Sequence, residues 1–131
     1  MNVIAEFLDN NKPFYVATID DGKPRLRPFG ASFIFEDKLY ICTSNQKAVS
    51  RQFKKIPNIE ISAAAPDGQW LRLTAEVTLD ERREPRERIL SALPTLKERY
   101  KVDDGVFEVY YLKNATGILF GPDGQSETHT F

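Results

Sequence analysis

The short spacing between apolar runs is what most constrains this chain. Residues 14–19 read FYVATI, and Asp20-Asp21-Gly22-Lys23 follows at once. Residues 23–30, 32–35 and 38–42 make three more strand-like runs, the last two separated only by Glu36-Asp37. Asp-Gly and an acidic pair both suit tight hairpin turns. Parallel neighbours need a crossover of about a dozen residues or more. The spacing therefore predicts antiparallel pairing and argues against a parallel α/β fold.

The rest of the chain continues that pattern. Residues 59–65 (IEISAAA) read as an apolar strand whose small side chains permit close approach. Residues 69–79 alternate, with Trp70, Arg72, Thr74 and Glu76 on one face and Leu71, Leu73, Ala75 and Val77 on the other. Residues 106–113 and 116–120 read as two further strands around Asn114-Ala115. Helical spacing of Val3, Ile4, Phe7 and Leu8 predicts an amphipathic helix over residues 2–10. A charged segment from Asp80 or Glu81 to Tyr100 carries Ile89, Leu90, Leu93, Leu96 and Tyr100 at helical spacing; Pro94 should kink or split it. The polar tail from Gly121 is expected to be loose or docked on a partner. About seven strands in a near-meander with helices at the edge predict a mainly β, α+β fold, a small antiparallel barrel. The 131 residues fit one domain over 1–131.

Chemistry concentrates between residues 23 and 51. Arg25 and Arg27 should leave one face of an extended strand. Residues 43–47 read Thr-Ser-Asn-Gln-Lys, and Ser44 or Asn45 would cap a helix over about residues 46–55. Hydroxyls at Thr43 and Ser44, free N–H groups at a helix start and a cation at Lys47 together suit a phosphate. A capped surface helix bearing solvated cations reads the same way. With a net charge of −1 there is no general attraction to polyanions, and the alternating signs of residues 81–88 describe a salt-bridged helix rather than a nucleic-acid patch. One cysteine (Cys42) and one histidine (His129) leave no intrachain disulfide, no cysteine metal cluster and no Ser/His/Asp motif, so no metal site is expected and no catalytic residue is named. Glu6 and Asp9 interrupt the only early apolar run, and no stretch is long enough to span a bilayer. The cytoplasm is the expected location, with neither membrane nor nucleic acid as a partner.

The chain order resembles that of a known family. FYVATIDDGKPRLRPF, then FIFEDKLYICTSNQKAVSRQFKKIPNIEI, then the long strand from Trp70 and the final strands are similar to the FMN-binding split barrels typified by pyridoxamine 5′-phosphate oxidase. The resemblance covers nearly the whole chain and implies an antiparallel split β-barrel of the FMN-binding type. It implies FMN as cofactor, with Arg25 or Arg27, Pro28 and Phe29 bordering the ring and ribityl chain. Thr43, Ser44 and Asn45 would supply donors, and Lys47, helped by Arg51 or Gln52, would face the phosphate. Arg51 is preferred over Gln52 because it shares the Lys47 face. The resemblance also implies a homodimer with flavin at the interface, where residues 119–122 of the second subunit close over the ring, and an oxidoreductase with NADH or NADPH as donor. The arginine- and histidine-bearing substrate signature of the full-length oxidases is missing from the tail, which leaves the substrate open. A flavin carrier or electron-transfer protein, or a deazaflavin- or haem-binding split barrel, is the alternative.

Overall fold

A computed structural model describes residues 1–131. Two tight hairpins set the frame. Strands β1 (Phe14–Asp20) and β2 (Lys23–Phe29) meet at Asp21 and Gly22, both at positive φ. Strands β3 (Ser32–Phe35) and β4 (Lys38–Ser44) meet at Glu36 and Asp37, again both at positive φ. Positive φ at both central residues is what a two-residue hairpin with native twist requires.

These hairpins end up at opposite margins of one eight-stranded sheet. With β5 (Asn58–Ala64), β6 (Trp70–Leu79) and β7 (Phe107–Phe120), the order is β2-β1-β5-β6-β7-β4-β3, and β8 (Ser126–Thr130) pairs with β7. Every pairing is antiparallel. Strands β2 and β3 do not pair with each other, so the barrel is split rather than closed. Consecutive strands pair as a near-meander except at β2–β3 and β4–β5, where β1–β5 and β4–β7 pairings reach across intervening helices instead.

Two expectations about the C-terminal third are corrected. Residues 106–113 and 116–120 are not separate strands but one continuous β7. Both of its halves pair with β6, and a bulge sets Asn114 and Ala115 against Ala75. Asn114 takes φ 53°, and its Nδ2 donates to Glu76 Oε2 at 2.6 Å. The tail is not loose. Residues 126–130 form β8 on the half of β7 that β4 leaves free, and Phe131 and Ala115 exchange two backbone hydrogen bonds at the bulge. A period-2 pattern is faint in SETHT because most of β8 is exposed.

Helices cover the openings. Helix α1 (Asn2–Asn10) sends Ile4 and Leu8 into the main core with no exposed surface. Gly117 lies beneath Ile4, and a Cβ there would stand 2.7 Å from Ile4 Cδ1. Helix α2 (Ala48–Lys55) packs on β1 and β4 through Val49 and Phe53. Helix α3 (Arg83–Ala92) covers a smaller core of Tyr40, Phe107 and Val109 with Ile89 and Leu90. Pro94 splits the charged segment as its ring requires, and residues 94–98 turn into a short 3-10 helix.

Candidate functional site

A cleft of about 290 Å³ opens where four pieces of chain converge. The end of β2 and the following bend supply Arg27, Pro28, Phe29, Gly30 and Ala31. The end of β4 supplies Cys42 and Thr43, the start of α2 supplies Lys47 and Val49, and the 3-10 helix and the two residues after it supply Thr95, Leu96, Arg99 and Tyr100. These elements meet because Phe29 is buried between Phe14 and Phe53, at ring separations of 6.2 and 6.4 Å, which ties the end of β2 to α2. Tyr100 lies on Phe107 at 4.9 Å and brings the 3-10 segment over the end of β4.

The cleft contains three cations and no carboxylate: Arg27, Lys47 and Arg99 line it, and none of them joins an ion pair elsewhere in the chain. Arg27 is half-buried and firmly held. One terminal nitrogen donates to the Val16 carbonyl at 3.0 Å and the other to Gln52 Oε1 at 2.6 Å. Burial lowers its pKa below the ordinary arginine value, yet a guanidinium remains charged at neutral pH. Burial also pushes the Cys42 thiol up to about 12, with Lys47 opposing the shift. Cys42 is thus a protonated thiol and not a poised nucleophile. Desolvation raises Tyr100 in the same direction. Phe29, Val49, Leu96 and Tyr100 give the cleft an apolar side. A cleft lined by cations, a hydroxyl and apolar side chains suits a ligand with an anionic end and a hydrophobic body.

A larger hollow of about 380 Å³ lies nearby, but Asp80, Glu81, Asp103 and Glu108 line it with Arg86 as its one cation. That charge balance repels an anion.

Of the residues singled out in the sequence, Arg27, Pro28, Phe29, Thr43 and Lys47 line the cleft together. Ser44, Asn45, Arg25 and Arg51 do not. Ser44 continues β4 opposite Phe107, is buried, and its Oγ accepts the Gln46 N–H at 3.1 Å. Asn45 turns away and donates from Nδ2 to the Gly105 carbonyl at 2.8 Å. The helix cap is consequently Lys47, not Ser44 or Asn45, and no side chain caps it. Arg25 shares the face of Arg27 but stands exposed near Asp20, 3.9 Å away. Arg51 is exposed, while its neighbour Gln52 is buried and reaches Arg27. Helical spacing from Lys47 favoured Arg51; a cap at Lys47 and a helix packed on β1 favour Gln52. Arg99 and Tyr100 are not legible as cleft residues in the sequence, because only the fold of the segment after Pro94 carries them across to β4.

No family model matches the chain, and no curated protein matches it. Solved structures do. A NimC/NimA family protein from Clostridium acetobutylicum superposes with a TM-score of 0.97 at 44% identity, over 100% of this chain and 92% of that one. A pyridoxamine 5′-phosphate oxidase-related, FMN-binding protein from Nostoc punctiforme PCC 73102 gives a TM-score of 0.64 at 16% identity, over 99% and 95% of the two chains. A haem-binding protein from Mycobacterium smegmatis gives 0.75 at 19% identity, over 96% of this chain and 56% of that one. The last two likenesses bear on the fold.

Proposed function

The chain belongs to the NimC/NimA family, among the pyridoxamine 5′-phosphate oxidase-like split barrels, and from that premise we propose that it binds FMN in the acid-free cleft and works as a flavin-dependent oxidoreductase on a small molecule. The observation that carries this reading is the donor set. Lys47, Arg27 and Arg99, with the Thr43 hydroxyl, face one cleft that holds no carboxylate. A phosphate dianion needs such local positive charge in a protein whose net charge is −1. Phe29, Val49, Leu96 and Tyr100 fit a flat aromatic ring. Bound there, FMN would supply the electron transfer, with NADH or NADPH as the donor. The chain's own residues bind the phosphate, orient the ring and set the local charge.

The partner in this reading is a second copy of the chain, with flavin at the interface. The outer face of the β2-β1-β5-β6 half supports it: Tyr15 is 44% and Leu26 68% exposed, and Trp70 stacks on Phe120 at 4.5 Å beside them. Residues 119–122 lie outside their own chain's cleft. We place this activity in the cytoplasm; no helix is long and apolar enough to cross a membrane.

A flavin carrier without turnover is the second reading, favoured by the lack of any carboxylate or histidine in the cleft. The visible spectrum of freshly purified protein, followed by NADH or NADPH and an electron acceptor, tests both. A flavin band that bleaches and returns supports the oxidoreductase, and a band the donors leave unchanged supports the carrier. Colourless protein that takes up no added FMN overturns the flavin assignment.

A further inference from the structure

Gln52 lies on α2 outside the cleft, 4% exposed, and its side-chain oxygen accepts two hydrogen bonds. Thr18 Oγ1 donates at 2.5 Å and Arg27 Nη2 at 2.6 Å. The other terminal nitrogen of Arg27 is satisfied by the Val16 carbonyl. The guanidinium is thus fixed from two sides, by the backbone of β1 and a side chain of α2, and both acceptors are neutral.

The chemistry of those acceptors decides what Arg27 can do. A carboxylate would orient a guanidinium through the same geometry and cancel its charge. An amide oxygen orients it and leaves the charge in place. Glu108, the carboxylate that engages α2, is committed to Ser50, Lys54 and Tyr110. Thr18, itself 2% exposed, occupies the remaining lone pair of Gln52 and holds the amide oxygen toward Arg27.

We infer that Gln52 is a positioning residue: it holds the Arg27 guanidinium at the cleft wall and, by being an amide, keeps that positive charge available to an anionic ligand. The ligand's identity as FMN rests on the reading given above.

The test is Gln52→Glu, which keeps an acceptor at the same place but supplies a negative charge. FMN affinity, read by quenching of flavin fluorescence, should fall by about tenfold or more, the usual worth of one charge-assisted contact. The melting temperature should not fall, because the introduced carboxylate would pair with Arg27. Gln52→Leu, which removes the acceptor without adding charge, should weaken FMN binding in the wild-type background but bring no further loss in an Arg27→Gln background, since Gln52 acts through Arg27. Wild-type FMN affinity in Gln52→Glu, or a full further loss in the Arg27→Gln background, overturns the inference. A wild type that takes up no FMN overturns the flavin reading instead. The Gln52 assignment is then read from ligand-free protein by ¹⁵N NMR of the arginine side chains. Slow guanidinium rotation at Arg27 in wild type and Gln52→Glu, lost in Gln52→Leu, supports it; identical rotation in all three overturns it.

Discussion

Lys47 is the simplest place to test the cleft, because its exposed side chain has no ion pair to lose. Lys47→Ala should weaken FMN binding by about 1.5–3 kcal/mol, roughly ten- to a hundredfold in Kd, and leave the melting temperature unchanged. Fluorescence titration checks the first part and thermal denaturation the second. Unchanged affinity removes Lys47 from the site. Tyr40 serves a different purpose. It is fully buried, donates to Asp80 Oδ2 at 2.8 Å, and burial beside that carboxylate pushes its hydroxyl pKa up to about 12. Arg82 grips Asp80 from the other side, at 3.1 and 3.0 Å. Tyr40→Phe removes one donor from a nearly buried carboxylate, so it should destabilise the fold by about 1–3 kcal/mol in urea denaturation while FMN affinity stays unchanged.

At the scale of elements, Gly117 shows how helix and strand are matched. A methyl group there would press on Ile4, whose side chain has no exposed surface into which to retreat. Gly117→Ala should cost about 1–3 kcal/mol, and adding Ile4→Val should recover part of it; equal loss in both variants would mean that α1 can shift. Much of the element list was legible in the sequence, because Asp21-Gly22, Glu36-Asp37 and Pro94 are local signals with local consequences. The bulge at Asn114 was not. An Asn-Ala pair between two apolar runs looks like a turn until β6 is known to pair with both halves of β7. Strand β8 was hidden for the opposite reason, since its backbone carries the pairing and its side chains bury little. In the cleft, the residues adjacent along the chain could be read: Arg27 to Phe29, Thr43 and Lys47. Arg99 and Tyr100 could not, because contacts between distant segments place them; Gln52, behind the cleft wall, was legible only as an alternative to Arg51.

For the whole molecule, acid is the revealing perturbation. The Arg82 guanidinium, with Tyr40, holds the Asp80 carboxyl below its usual range. Burial pushes Glu108 up, but hydrogen bonds from Lys54, Ser50 and Tyr110 outweigh it and leave its pKa lowered. A depressed folded-state pKa contributes stability above the unfolded value that disappears as pH falls through the folded one. The urea midpoint should therefore be flat above about pH 5 and decline below about pH 4; a midpoint unchanged down to pH 3 would contradict the packing of both groups. The proposed self-association is the other whole-molecule test. Leu26→Lys adds charge to a side chain already 68% exposed, so it should leave the monomer fold intact and convert the proposed dimer into monomer in sedimentation. A wild type that sediments as a monomer while retaining flavin overturns the shared-site arrangement. The acid-free cleft has a practical consequence as well. Three unopposed cations will draw whatever small anion the solution offers. Phosphate- or sulfate-rich buffers should compete with the proposed flavin during purification, so on that reading the colour of a preparation reports its washing history as much as its chemistry.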